Sequence, residues 1–214
     1  MTIVVPENAQ LGILLIDVQP FFIEVAFPEN SEKKEALLVR IEHLLKLSDA
    51  LELPLLASFE RPVSFNGELP ERLEAVFPEK GQRFEKDYFN LTAEKPIRDA
   101  IAAYPVKQFA VAGAETDVCV LQSVIGLLEM DYEVFLLEDC LFTTETNPGP
   151  ALRRMYQYGA VPTTLKSLAY ELVERADRIP WYPELWPEEE PSGMQSFPED
   201  FIPPEKWLPW EDQS

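Results

Sequence analysis

The chain of 214 residues has one histidine, two cysteines, and 18 basic side chains against 38 acidic ones. Each scarcity removes a class of function. A lone histidine, His43 on a helical stretch, supplies neither a multi-histidine metal centre nor the Cys-His pair of papain-like proteases. It is expected at a helix surface or boundary, with no metal bound. Cys119 and Cys140 make no C-x-x-C motif and no disulfide framework, so reduced thiols and a cytoplasmic location are expected, with a redox role the lesser reading. The formal charge of −20 argues against nucleic acid and anionic membrane surfaces as partners, since both need clustered Lys and Arg. No stretch approaches about eighteen consecutive apolar residues, and Met1 to Pro6 lacks the basic start of a signal peptide, so neither a membrane span nor a secretory leader is expected. No cofactor motif is visible, and none is expected to be needed.

What is present is ordinary globular composition, 46% hydrophobic and 26% charged, enough for one domain with a substantial core. Strand-like and helix-like segments alternate. Leu11–Asp17 reads as a strand, Ser31–Leu51 as a helix with Leu37, Leu38, Ile41, Leu44 and Leu45 on one face, and Leu53–Ser58 as a second strand. A helix at Pro96–Tyr104, a strand at Gln108–Ala112, a helix at Val118–Met130 and a strand at Tyr132–Glu138 follow. A helix at Pro150–Tyr158, a strand at Ala160–Thr164 and a helix at Ser167–Ala176 complete the series. Such alternation implies an α/β fold with a parallel sheet and helices on both faces.

Three residues carry chemistry. Cys119 follows the buried strand ended by Gly113 and enters the first turn of a helix, where unpaired amides and the positive end of the helix dipole favour a thiolate and can bind an oxyanion. Asp17 closes the first strand, at the sheet edge where sites form in open parallel sheets. Lys86 lies among aromatics in Arg83-Phe84-Glu85-Lys86-Asp87-Tyr88-Phe89 and is expected to be part-buried. Taken singly, each has a plain alternative. Cys119 can be a small core hydrophobe, Asp17 a turn cap, and Lys86 a solvated partner of Glu85 or Asp87.

Taken together, they resemble the Asp-Lys-Cys triad of the isochorismatase-like cysteine hydrolases, a family that includes nicotinamidase, N-carbamoylsarcosine amidohydrolase and ureidoacrylate hydrolase. Asp17-Val18-Gln19 is similar to the family's D-x-Q, Lys86 with Phe89 to its K-x-x-(Y/F), and Gly113 to Val120 to its G-x-x-T-D-x-C-V. Arg153-Arg154-Met155 and Gly159-Ala160-Val161-Pro162-Thr163-Thr164 resemble a subgroup of uncharacterised bacterial hydrolases, and the likeness runs from about Leu11 to Ala176. It implies a three-layer, Rossmann-like, doubly wound sandwich with a mostly parallel six-stranded sheet.

The resemblance further implies that Cys119 attacks the carbonyl of a small amide or ureido substrate, that Asp17 is general base and acid, and that Lys86 holds the Asp17 charge and lowers the thiol pKa. It implies a cis peptide between Ala114 and Glu115, with the amides of Glu115 and Cys119 forming the oxyanion hole. Thr116 and Asp117 are expected to cap the helix. Gln19, Phe21, Phe22, Phe59, Glu60, Arg61, Tyr88 and Phe142 are expected near the substrate pocket, with Arg61 paired either to a substrate carboxylate or to Glu60. Nicotinamidases hold a metal through histidines this chain lacks, and isochorismatases lack the cysteine, so hydrolysis of a C–N bond is favoured. The alternative is a catalytically silent member of the fold that binds a protein partner through its tryptophan-rich C-terminal segment.

Residues 1–178 are therefore expected to form the hydrolase domain. The remainder, 179–214, holds all four tryptophans, Trp181, Trp186, Trp207 and Trp210, among prolines and glutamates. Indoles carry large apolar surface that is normally buried, so this segment is expected to be an ordered arm on its own domain or on a neighbouring subunit, clamping a homo-oligomer. Truncation after Arg178 is expected to reduce the assembly's size in sedimentation; an unchanged assembly contradicts the clamp.

Overall fold

The computed structural model describes residues 10–29 and 31–173; the expected arm at 179–214 lies outside them. Six strands, β1 (Leu11–Ile16), β2 (Leu55–Glu60), β3 (Gln82–Lys86), β4 (Gln108–Gly113), β5 (Glu133–Leu141) and β6 (Val161–Thr163), form one sheet in the order β3-β2-β1-β4-β5-β6. All five pairings are parallel. The central strands β1 (LGILLI) and β4 (QFAVAG) are buried along their whole length, as continuous apolar runs require when both faces are covered.

Alternate side chains of β1 feed two separate cores. Leu11, Ile13 and Leu15 pack with Leu37, Ile41, Leu44 and Leu45 of α2 (Ser31–Ala50) and Leu168 of α8 (Leu165–Val173). Leu14 and Ile16 face Ile97 and Ile101 of α5 (Lys95–Ala103), Val124 and Leu127 of α6 (Leu121–Glu129), and Met155 of α7 (Gly149–Tyr158). Each such leucine or isoleucine contributes about 1.5–3 kcal/mol by leaving water. The result is a three-layer doubly wound α/β sandwich.

Differences from the sequence pattern have local causes. β3 was not anticipated because QRFEK is largely exposed and polar, a composition suited to an edge strand that must not recruit another chain. The α1 helix (Pro20–Ala26) and the short α3 (Val63–Asn66) and α4 (Glu71–Glu74) lie in connections read as loop. β2 ends two residues later than expected, at Glu60, and β5 runs to Leu141. His43 is buried on α2, further in than a boundary position. Among the described residues, no helix is long and apolar enough to cross a membrane.

The order of strands leaves a crevice beyond the carboxyl ends of β1 and β4, where the chain leaves neighbouring strands in opposite directions. There the backbones approach so closely that a Cβ on Gly113, at φ 118°, would lie 1.9 Å from the carbonyl oxygen of Ile16. Gly159, with nearly the same φ of 114°, has open space around it, with Leu128 Cδ2 at 4.0 Å the nearest contact. Gly113→Ala is therefore expected to destabilise the fold by about 3 kcal/mol or more, and Gly159→Ala by about 1 kcal/mol, in chemical denaturation. Equal losses would contradict this account of Gly113.

Candidate active site

Four adjacent strands deliver side chains to that crevice. Asp17 turns out of β1 at φ 49°, a left-handed conformation that aspartate tolerates better than most residues. Ser58 and Glu60 lie two apart on β2 and so share one face. Lys86 ends β3 directly opposite Glu60 in the register. Cys119 follows β4, on a π-helical turn over Thr116–Val120 that leads into α6.

The Lys86 ammonium is fully buried, although its strand is an exposed edge. Its Nζ lies 2.6 Å from Asp17 Oδ2, 3.4 Å from Cys119 Sγ and 3.7 Å from Glu60 Oε2. Ser58 Oγ donates to Asp17 Oδ1 at 3.0 Å. Oδ2, by contrast, meets the ammonium as a close ion pair without hydrogen-bond alignment, so it retains capacity to accept a proton. The thiol of Cys119 donates to Glu60 Oε2 at 3.3 Å.

Burial pushes the Asp17 carboxyl up to about 6, with the Lys86 charge, the Lys86 contact and the bonds from Cys119 and Ser58 opposing it. Lys86 is raised above its ordinary value: burial alone would lower it, but Asp17, then Cys119, then Glu60 outweigh that. For Cys119, burial first and the Asp17 charge second push the thiol well above its usual range, against the lowering by Lys86. Lys86 does lower the thiol, as expected, but burial and Asp17 outweigh it. Burial of the sulfur and the Asp17 carboxylate beside it both favour the protonated thiol.

The turn carrying Cys119 is latched to the exit of β5. Thr116 donates through both its amide and its hydroxyl to the Phe142 carbonyl, each at 3.1 Å. Asp117 accepts from Thr143 Oγ1, and Glu115 Oε1 accepts from the Thr144 amide and hydroxyl. Thr116 and Asp117 thus tie two loops together where helix capping was expected, since their side chains reach sideways to the neighbouring strand's exit. The bond between Ala114 and Glu115 is cis. Ser123 on α6 accepts from the Leu91 amide at 3.0 Å and donates to the Phe89 carbonyl at 3.3 Å, steadying the segment that follows Lys86.

The residues expected around the pocket divide by role. Gln19 is buried, and its amide is committed to main chain: Oε1 accepts from Glu60 N at 2.8 Å, and Nε2 donates to the carbonyls of Glu60 at 3.2 Å and Gly67 at 2.7 Å. Phe59 and Phe142 are buried in the core that contains α2, and Phe22 packs against that core. Phe59 could not share the site face, because it alternates with Ser58 and Glu60 along β2. Tyr88 is 59% exposed, and Phe21 packs at a tilt against the exposed Phe65 with ring centroids 4.9 Å apart. Arg61 does not pair with Glu60: its guanidinium is held by Glu85 at 2.8 Å and Asp87 at 2.7 Å. Ser58 was missed, although a serine inside the apolar run Leu55–Phe59 is a visible signal of a buried polar contact.

Asp17, Glu60 and Cys119 offer ligand atoms within 4.8 Å of one another, a spacing compatible with a metal ion. The donor set does not fit one, because the Lys86 ammonium already stands in contact distance of all three. The chemistry available is proton transfer between a buried carboxyl and a thiol beside a fixed positive charge.

Comparison with known proteins identifies the family and the fold. The isochorismatase domain model matches residues 12–167. Isochorismatase family protein 1B of Dictyostelium discoideum is 27% identical over 180 residues, 81% of this chain and 82% of that protein. The structure of YcaC from Escherichia coli, described as an octameric hydrolase of unknown specificity, superposes with a TM-score of 0.75 at 24% identity, covering 82% of this chain and 85% of that one. YcaC from Pseudomonas aeruginosa, solved with hexane-2,5-diol and covalent acrylamide, does so with a TM-score of 0.75 at 22% identity, covering 82% and 86%. With a family match running from the first strand to the last helix of the sheet's fold, the chain belongs to the isochorismatase family and has that family's hydrolase fold.

Proposed function

We propose that the protein is a cysteine-dependent hydrolase of a small amide or ureido C–N bond. The observation that carries this reading is the buried ammonium of Lys86 in contact with both the Asp17 carboxylate and the Cys119 sulfur at the carboxyl edge of the sheet. A lysine with no exposure is costly, and it is retained in proteins where its charge has a partner and a task.

Asp17 Oδ2 takes the thiol proton as sulfur attacks the substrate carbonyl, forming the C–S bond. The carbonyl oxygen becomes an oxyanion facing the amides of Glu115 and Cys119, and a donor in such a position typically contributes about 3 kcal/mol of transition-state stabilisation. Asp17 then gives its proton to the nitrogen, the C–N bond breaks and ammonia or an amine leaves. Water attacks the thioester, its proton passing to Asp17; the C–S bond breaks and the proton returns to sulfur. A carboxyl near 6 suits both directions, since it is mostly ionised at neutral pH and still readily protonated. Lys86, in contact with both groups, balances the negative charge as it passes from Asp17 to sulfur with the proton moving the other way.

No metal or cofactor enters this scheme. Two free cysteines, both buried, suit a reducing, cytoplasmic setting. Assembly as a homo-oligomer is part of the proposal, supported by the octameric description of the E. coli relative.

In a screen of small primary amides and ureido compounds for ammonia release, Cys119→Ala is expected to lose at least about 10⁴-fold in turnover and folded Lys86→Gln about 10²-fold. Turnover surviving in Cys119→Ala contradicts the nucleophile. Alkylation of Cys119 by iodoacetamide is expected to rise with pH through about 6 and then level off, because only ionised Asp17 can accept the thiol proton. A rise centred near 8.5, as for an ordinary free thiol, contradicts the general-base role.

A further inference from the structure

Glu60 is a second carboxylate at the reacting sulfur, and the scheme above gives it no task. Its position is built rather than incidental. The Glu60 amide donates to Gln19 Oε1, and its carbonyl accepts from Gln19 Nε2 and, at 2.9 Å, from Asn66 Nδ2. Both of those amide side chains are buried. With its main chain held by Gln19 and Asn66 and Lys86 beside it in the ladder, Glu60 places its carboxylate at the sulfur, Oε2 lying 3.3 Å from Sγ. Unlike Asp17, it keeps contact with solvent, its side chain being 22% exposed.

The charges around it do not cancel. Lys86 faces two carboxylates, nearer Asp17 at 2.6 Å than Glu60 at 3.7 Å, so the group carries a net charge of about −1 when both acids are ionised. The neighbouring cation, Arg61, is occupied by Glu85 and Asp87. The solvent-facing member of the group is thus an acceptor of hydrogen bonds with negative charge to spare.

We propose that Glu60 is a substrate-binding, specificity-determining residue that accepts an N–H from the scissile amide nitrogen and excludes substrates carrying a carboxylate next to that bond. The inference rests on the cysteine-hydrolase reading and deepens it: the substrate class is a neutral or cationic primary amide or ureido compound. In the free protein Glu60 Oε2 receives the thiol proton donor. Once that proton has passed to Asp17, the acceptor is left without a donor beside a carbon whose nitrogen is adjacent to the sulfur. An amide N–H restores the bond, and a growing positive charge on the departing nitrogen strengthens it. A carboxylate brought to the same place meets an uncompensated like charge, which costs about tenfold or more in rate at separations of about 6 Å.

The test compares alkylation of Cys119 by neutral iodoacetamide and anionic iodoacetate at pH 7.5, read as site-specific labelling by mass spectrometry. In both reactions sulfur forms a C–S bond, iodide leaves and the thiol proton passes to Asp17, so the two reagents differ in charge at the probe's tail. The iodoacetate-to-iodoacetamide rate ratio at Cys119 is expected to be at least about fivefold lower than for N-acetylcysteine, and to rise about fivefold to tenfold in Glu60→Gln. A wild-type ratio equal to that of N-acetylcysteine overturns the proposal without any substitution. Efficient labelling with the same ratio in Glu60→Gln overturns the role of Glu60 while leaving the nucleophile standing. Failure of iodoacetamide to label Cys119 in folded wild-type protein overturns both.

Discussion

A buried ion pair between Lys86 and Asp17 is the constraint around which the site is organised. Lysine ends the edge strand, yet its ammonium reaches a carboxylate at the end of β1, two strands away. Removing both charges from water costs several kcal/mol per ion, and their attraction offsets this only while the geometry holds. That geometry is a property of the sheet. Parallel pairing sets Lys86 opposite Glu60 and Ile16 opposite both Ser58 and Gly113, so the ends of four strands come level. A slip of one residue in β3 would turn Lys86 to the other face and strand Asp17 in the core.

Burial, with Asp17 next, favours the protonated thiol against the opposing charge of Lys86. Burial disfavours a second anion, and Asp17 repels one at short range, so the positive charge of Lys86 is shared among three neighbours and cannot stabilise a standing thiolate. The activation is thereby shifted from the resting state to the moment of attack. A carboxyl raised by burial to about 6 is a stronger base than an exposed one, and the ammonium keeps it from rising far enough to be neutral at physiological pH. Desolvation, which is a cost to stability, sets the proton affinity that the chemistry needs.

Around the charged group the protein spends its polar side chains on main chain. Gln19 and Asn66 grip Glu60, Ser123 grips the segment after Lys86, and Glu115, Thr116 and Asp117 latch the nucleophile's turn to the exit of β5. Several of these residues lie beside the catalytic positions in the sequence and could be mistaken for reacting groups. Their bonds fix the directions of Glu60, Lys86 and Cys119 instead.

Apolar periodicity and Gly/Pro punctuation were enough to read five of the six strands, the principal helices and a parallel α/β layering, because long buried runs such as Leu11–Ile16 have no other satisfactory place. Motif spacing likewise singled out Asp17, Lys86 and Cys119, each at the end of a segment or the start of one. Three things escaped a linear reading. β3 is polar because it is an edge, and Arg61 pairs with Glu85 on β3 and Asp87 just beyond it, both distant in the chain. The third was the protonation of Cys119, which depends on the sum of burial and two opposite charges at contact distance. The sequence by itself determined which elements form, which faces they bury and which reactive side chains stand at their ends. Only the tertiary structure decided which of those side chains touch, because contact across strands depends on register, and which carry protons, because proton affinity depends on how much water and charge the assembled fold leaves around each group.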